Sequence, residues 1–347
     1  FRMMDKVKVR DDFWGQLVSQ RFSNCRLVFA YGSGVFEQAG YNLTDSKTSE
    51  FPMIDLVAVV DDPESWHEEN LVQFSSDYWW PWAKLGSKRI ADFQTTYGAG
   101  LFYNTHVSLE CGRKIKYGVI STRDFKEDLK AWKWLYTAGR MHKPVKFVHS
   151  KHPNSDDNKE DLVDTVASNV KSALAASLLL LPQKFSELQL YLTITGLSYG
   201  GDFRMKFGEN PRKVTNIVSA NISHFRRLYI PLIQDLEAMD LVQSEGNFTQ
   251  KEENLQTGGT IGGYSFRDPG QVMLQQTSKL SGKNSLALHL PLAFQEQVLA
   301  CGGEDISMRL GRALTRTVKM SSKAQAVKGL FTAGPQKSLV YGFAKFK

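Results

Sequence analysis

The hydrophobic pattern changes regime part-way along the chain. Arg26 to Tyr31, RLVFAY, is a short apolar run that stops at Gly32 and predicts a buried strand. Met53 to Val60, MIDLVAVV, is a second run, and its β-branched residues favour strand over helix. Ile115 to Ser121, IKYGVIS, is a third, after which Thr122 can cap a helix reaching about Tyr136 with Leu129, Trp132 and Tyr136 on one face. The most polar stretch, His149 to Asp161, reads as a linker. Beyond it the spacing becomes helical, over Asp161 to Leu181, Lys184 to Leu197 and Asn210 to Met239. In the last of these Asn210 is the expected cap, Pro211 the first helical residue, and Pro231 a kink. Thr249 to Val272 is glycine-rich and polar, a loop or lid, and Glu304 to Val318 is a late helix. The class this predicts is α+β, an α/β domain over 1–150 followed by a mainly helical domain over 151–320.

Composition narrows the options. At 347 residues the chain suits two packed domains, and its 42% hydrophobic and 23% charged residues are ordinary for a globular protein. Its longest nearly apolar run, Ala173 to Leu181, ends at Pro182, far short of the roughly 20 residues that cross a bilayer. Cys25, Cys111 and Cys301 form no CxxC pair, so neither a zinc site nor a disulfide framework is expected, and a reducing compartment fits. The sequence opens on Phe1, so a trimmed N-terminus is expected and any targeting segment upstream of it is not legible. The net charge of +7 favours anionic partners: nucleic acid, nucleotide or acidic lipid.

The chemistry-bearing segment is Tyr31-Gly32-Ser33-Gly34-Val35-Phe36. A strand ends, two glycines flank a serine, and a helix is expected just after. Such a turn lets backbone N–H groups approach a phosphate, and Ser33 adds a hydroxyl donor. Asp55 lies between Ile54 and Leu56 inside the second apolar strand, where a carboxylate is costly unless paired or bound to a cation. Beside a phosphate-binding turn it is a candidate ligand for a divalent cation, Mg2+, on a triphosphate. Lys116, within the third strand, either reaches inward to a phosphate or points outward from an alternating strand. His67 and His106, and the tryptophans at 79, 80 and 82, read as packing residues rather than acid–base or stacking groups.

A glycine-serine turn followed by an acidic strand resembles the polymerase-beta type of nucleotidyltransferase. That superfamily places a second carboxylate two residues on, where this chain has Val57; Asp61 and Glu110 are the weaker substitutes. The blocks YGSGVFEQAGY, MIDLVAVVDDPESWHEEN, KYGVISTRDFKEDLKAWKWLYTAGRMHKPV and LSYGGDFRMKFGENPRKVTNIV, with the closing SSKAQAVKGLFTAGPQKSLVYGFAKFK, resemble the mitochondrial phosphatidate cytidylyltransferase family, from about residue 25 to 347. The stretch Ser75 to Trp79 departs from that family's usual pattern, and no role is carried onto it.

The resemblance implies a nucleotidyltransferase domain, a helical winged-helix-like domain and a C-terminal region, in a peripheral protein on the matrix face of the mitochondrial inner membrane that feeds cardiolipin synthesis. It implies CTP and phosphatidate as substrates and no nucleic acid. By position it puts the nucleotide-binding turn on Gly32 and Ser33, with Gly34 beside them, and the strand carboxylate on Asp55. The lysine falls on Lys116 and a second-domain aspartate on Asp202, with Arg204 nearby as a further cation for the phosphates. A phosphomonoester acceptor with a second pKa near about 6 needs no strong general base, so positioning and charge neutralisation are the expected sources of rate. Residues 321–347 carry Lys323, Lys328, Lys337, Lys345 and Lys347 with no acid, among apolar residues including Ala326, Leu330 and Phe331. This predicts a basic amphipathic segment docking on an anionic membrane surface, interrupted at Gly334-Pro335. An RNA-directed nucleotidyltransferase and a non-catalytic membrane assembly factor are the alternative functions. The oligomeric state is not legible.

Overall fold

The computed structural model describes residues 11–36, 52–150, 162–202, 204–207, 210–245, 249–250, 260–261, 264–266, 268, 272–299 and 306–345. The expected helix after Phe36, residues 151–161 of the expected 149–161 linker and most of the 249–272 loop lie outside these residues; His149 and Ser150, expected in that linker, end a strand instead.

The first half contains, in order, α1 (Asp11–Arg21), β1 (Leu27–Tyr31), β2 (Ile54–Val60), α2 (Pro63–Phe74), α3 (Trp80–Leu85), α4 (Ser87–Thr96), β3 (Leu101–Ser108), β4 (Lys114–Ser121), α5 (Thr122–Ala131), α6 (Ala138–Met141) and β5 (Lys146–Ser150). The three predicted strands are β1, β2 and β4. They join a five-stranded sheet of order β3-β4-β2-β1-β5, in which β2 and β4 run parallel and the other neighbours antiparallel. Alternation sorts the side chains. Val28, Ala30, Ile54, Leu56, Ala58, Ile115 and Val119 pack with Trp14, Leu17 and Phe22 of α1 and its C-terminal turn on one face. Leu27, Phe29, Val57, Val59 and Ile120 occupy the other.

That second face is buried by the helical half. Its elements are α7 (Leu162–Leu180), β6 (Lys184–Ser186), α8 (Glu187–Gly196), α9 (Arg204–Phe207), α10 (Lys213–Ala220), α11 (Ile222–Ala238), β7 (Val242–Glu245), β8 (Thr249–Gln250), β9 (Thr260–Ile261), β10 (Tyr264–Phe266), β11 (Met273–Gln276), α12 (Leu280–Ala287), α13 (Leu292–Leu299) and α14 (Ile306–Lys345). Phe29 and Val57 share one hydrophobic cluster with Leu174 and Leu178 of α7 and Leu310 and Leu314 of α14. The two halves are therefore joined through a common core and not only through a linker.

Four local expectations are corrected. The helix from Thr122 stops at Ala131 instead of Tyr136, because Trp132 turns left-handed at φ 51°. The buried carboxylate of Asp128 gathers the following loop: Oδ1 accepts the N–H groups of Trp134 and Leu135, and Oδ2 those of Tyr136, Thr137 and Ala138, at 2.7–3.1 Å. Residues 184–186 form a strand, and α8 starts only at Glu187, where Ser186 and Gln189 make a reciprocal capping box. The helix expected over 210–239 breaks at Asn221, whose side-chain amide donates to Ile217 O, while Pro231 lies inside α11. Parts of the expected 249–272 loop are strand, since β8, β10 and β9 form a small sheet, and the flanking β7 and β11 join β6 in another.

The late helix is far longer than 304–318. It runs through residue 320 and is interrupted at Gly334, φ 75°, where the break was expected. Its 321–333 stretch lies on the sheet half. Gln325 accepts the Ala99 N–H at 2.9 Å, Lys328 donates to the carbonyls of Gln94 and Tyr97 at 2.7 and 2.6 Å, and the Trp82 indole donates to Phe331 O at 2.8 Å. Lys328 is 2% exposed, and burial pushes its ammonium down to about 7. It is a packing residue, and its expected place on a membrane-facing side is corrected.

Replacing Asp128 by Asn exchanges one acceptor oxygen for an amide donor and leaves at least two buried N–H groups without an acceptor. At about 1–3 kcal/mol for each unsatisfied group, Asp128→Asn should lower unfolding free energy by about 3 kcal/mol or more, read from the urea midpoint.

Candidate active site

The sheet face turned toward the helical half is apolar at one end of β2 and polar at the other. Val57 and Val59 lie in the core, whereas Asp55 pairs in register with Tyr31 of β1 and Lys116 of β4. Lys116 Nζ lies 3.7 Å from Asp55 Oδ1 and 4.7 Å from the centre of the Tyr103 ring, so this lysine points inward and not outward from the sheet. The Tyr103 ring fits there because Gly118, its cross-strand partner, has no Cβ; one would stand 2.6 Å from it. The Tyr31 and Tyr103 hydroxyls are 3.4 Å apart.

The Gly32–Phe36 turn sits directly on this group. Gly32 adopts φ 79°, and the amides of Val35 and Phe36 fold back on its carbonyl at 3.1 and 2.9 Å. A Cβ on Gly32 would lie 3.4 Å from Asp55 Oδ2, and one on Gly34 would lie 2.4 Å from Met53 O, inside any permitted contact. The glycines thus bring the backbone down onto the start of β2, and Ser33 stands exposed at the tip.

The helical half contributes the opposite wall. Asp202 is buried, and Arg204 grips it with Nε and Nη2 at 2.6–3.1 Å. The same carboxylate accepts the Arg204 backbone N–H at 3.0 Å, so Asp202 fixes this arginine through both its main chain and its side chain. Between the walls stands Arg140 of α6, 3.9 Å over the Tyr136 ring and 5.1 Å from the Tyr31 ring, with Nη1 donating to Tyr136 O at 2.6 Å. Burial would raise the Tyr136 phenol, but Arg140, Arg204 and Lys116 together pull it down to about 8. A tyrosine sensing all three cations means that the sheet wall, α6 and the Asp202–Arg204 pair converge on one place. Sequence reasoning missed Tyr31, Tyr103, Tyr136 and Arg140. The one available signal was a cation at Arg140 following the aromatic run Trp132, Trp134 and Tyr136.

Other candidates lie elsewhere. Val57, at the position of the superfamily's second carboxylate, is fully buried in the core. Asp61, past the far end of β2, accepts from the Thr122 hydroxyl at 2.8 Å, and Glu110 is exposed in the β3–β4 turn. His67 is buried between Tyr78 OH and Gln94 Oε1 at 2.8 and 2.9 Å, and burial pushes it down to about 4; it is a packing residue, as expected. Asp77, in the divergent 75–79 stretch, accepts from the Arg21 guanidinium and the Tyr117 hydroxyl at 2.6 and 2.7 Å. That stretch therefore braces the far side of the sheet.

Asp55 is the residue that tests whether a divalent cation fits. Its Oδ1 is buried and accepts no hydrogen bond, which suits a hard cation's ligand. Among the described residues no three His, Cys, Asp or Glu side chains come together. A magnesium ion here would take one carboxylate from the protein and its other oxygens from substrate phosphates and water, a usual arrangement for that ion.

With this geometry in view, comparison with known proteins is decisive. The family described as "Phosphatidate cytidylyltransferase, mitochondrial" matches residues 15–347. The chain belongs to this family. The Xenopus laevis protein of that name is 41% identical over 325 residues, covering 92% of this chain and 89% of its own. The Danio rerio protein is 37% identical over 339 residues, covering 96% and 94%, and the Schizosaccharomyces pombe protein 37% over 334 residues, covering 92% and 79%. Both walls of the cleft, from Gly32 to Arg204, lie inside the span that matches the phosphatidate cytidylyltransferase family.

Gly34→Ala should push the turn off the start of β2 and lower kcat/KM for CTP by at least about tenfold, whereas Gly15→Ala, whose Cβ meets nothing within 4 Å, should leave it unchanged. Steady-state kinetics on the two variants makes the comparison.

Proposed function

We propose that the Gly32–Gly34 turn, Asp55 and Lys116 hold the triphosphate of CTP in the cleft between the two halves, with magnesium on Asp55. The activity follows from family membership: the chain is a phosphatidate cytidylyltransferase, a nucleotidyltransferase that makes CDP-diacylglycerol. A phosphate oxygen of phosphatidate attacks the α-phosphorus of CTP. The bond from that phosphorus to the bridging oxygen breaks, and pyrophosphate leaves with the electron pair. The attacking phosphate is largely dianionic at neutral pH, so no proton need be removed. The difficulty is repulsion between anions, and the cleft answers it with Lys116, Arg140 and Arg204 in a partly dehydrated site. Bound magnesium would supply further charge neutralisation on the triphosphate.

The observation that carries this reading is the juxtaposition of Gly32, Asp55 and Lys116 across three strands. It also favours the polymerase-beta type of fold for the sheet half. The packing of α8, α10 and α11 near the β6-β11-β7 sheet favours a winged-helix-like helical half. Asp55→Asn keeps the shape and removes the charge. Magnesium-dependent release of pyrophosphate should drop by about a hundredfold or more, while the fold, followed by circular dichroism, is retained. Retained turnover would overturn the assignment.

The second substrate has its tails in a bilayer. Among the described residues no helix is long and apolar enough to cross a membrane, and we place the protein peripherally, on the matrix face of the mitochondrial inner membrane. Where α14 crosses α3 and α4, Trp80, Leu85, Tyr97, Val327, Leu330 and Phe331 stay exposed, with Lys84, Lys88, Arg89 and Lys323 also exposed on these helices. This face supports docking on anionic lipid, with feeding of cardiolipin synthesis as the consequence. Leu330→Glu with Phe331→Glu should weaken binding to anionic vesicles by at least about tenfold in a flotation assay and leave CTP binding intact. Unchanged flotation would exclude this face.

A further inference from the structure

Beyond Arg140 the cleft continues into a second cluster of positive charge that the triphosphate reading does not use. Lys143 follows α6, and its ammonium donates to Gly139 O and to Ser198 Oγ, the latter at 2.9 Å. It lies 5.2 Å from the centre of the Tyr199 ring, and Lys213 of α10 lies 5.7 Å from the same ring. The close approach that builds the cluster depends on Gly139, where a Cβ would stand 2.3 Å from that of Ser198. Among the described residues Arg140 and Lys143 pair with carbonyls, a hydroxyl and aromatic faces but with no carboxylate. Arg140 Nε is buried and makes no hydrogen bond. Cations gathered in a partly dehydrated seam repel one another, and an anion bound among them relieves that cost.

We propose that Arg140, Lys143 and Lys213 form the subsite for the phosphomonoester head of the acceptor lipid. The inference rests on the reading of Gly32, Asp55 and Lys116 as the triphosphate side. In an in-line displacement the attacking and leaving oxygens sit on opposite sides of the α-phosphorus, so the acceptor phosphate needs its own cations, away from those that hold the departing pyrophosphate. Arg140 touches Tyr31 on the sheet side, while Lys143 and Lys213 meet at Tyr199 on the helical side. That ordering puts the two anions on either side of the arginine. A phosphomonoester dianion matches three positive charges better than a phosphodiester does, which would favour release of CDP-diacylglycerol once the new bond has formed.

The groups that face Lys143 are Arg140 and His142 on its own segment, Ser198 and Tyr199 after α8, and Lys213 on α10; burial first, and the charge of Lys143, hold His142 neutral, down at about 3. Burial, with the charges of Arg140 and Lys213, pushes Lys143 down to about 7. The lysine is charged below that pH and neutral above it, so affinity for the acceptor should fall as pH rises past about 7, a range where the phosphomonoester is already dianionic.

The test is steady-state kinetics with CTP and phosphatidate in mixed micelles. Lys143→Met should raise KM for phosphatidate about tenfold while KM for CTP stays within about twofold. Lys143→Arg, whose charge does not titrate, should restore the affinity and abolish the rise in phosphatidate KM above neutral pH. Should Lys143→Met fold poorly, Lys213→Met carries the same expectation. A rise in KM for CTP instead would assign the cluster to the triphosphate, and unchanged KM values for both substrates would remove it from binding; either result overturns the proposal. Failure of the Asp55 assignment is separately visible, because it appears as persistent turnover in Asp55→Asn and not as a change in either KM.

Discussion

One buried carboxylate holds the parts of the cleft in place. Asp128 sits in the core at the end of α5 and collects five consecutive backbone amides, from Trp134 to Ala138. Without it the left-handed turns at Trp132 and Leu135 would be strained and the loop would have unsatisfied donors. With it, the chain reverses sharply and delivers Tyr136, Arg140 and Lys143 to the seam between the sheet and the helices. Asn169 of α7 completes the bracket, accepting from the Trp132 indole at 2.7 Å and donating to Ala138 O at 3.1 Å. A purely structural acid thus decides where the positive charge of the seam is placed.

The cleft itself is an exercise in unbalanced charge. Elsewhere, buried cations meet acids: Arg226 is clamped by Glu187 at 2.7 and 2.8 Å, and Arg21 by Asp77 at 2.6 Å. In the seam, Lys116 faces Asp55 and Arg204 is held by Asp202, but among the described residues Arg140 and Lys143 lean on tyrosine faces and carbonyls instead. Aromatic faces stabilise a cation without neutralising it. The arrangement leaves positive potential in the seam that its aromatic partners do not cancel.

The C-terminal helix connects this chemistry to a surface. One side of its 321–333 stretch is polar and buried, with Gln325 and Lys328 satisfying backbone groups of the α4–β3 connection. The other side carries Val327, Leu330 and Phe331 into solvent beside Trp80. A single element therefore braces the sheet half and presents its exposed apolar residues. This is why its basic composition alone misassigns Lys328.

Period-two alternation and apolar runs were enough to locate β1, β2 and β4, because a strand buried on both faces leaves an unmistakable apolar signature. The Gly32-Ser33-Gly34 turn and the acid at Asp55 were legible for a related reason: glycine pairs and a carboxylate inside an apolar run are costly unless something needs them. What the sequence by itself determined was thus the local elements of the sheet, the break at Gly334 and one wall of the cleft. The ends of α5 and of the helix before Asn221 turn on short-range side-chain bonds that periodicity does not register, whereas the tertiary structure alone decided that the two halves share a core. It also decided that Tyr31, Tyr103, Tyr136 and Arg140 meet around Lys116. Those outcomes depend on contacts between residues far apart in the chain, such as Tyr31 with Tyr103 and with Arg140, and no spacing along a one-dimensional pattern encodes a distance across a cleft.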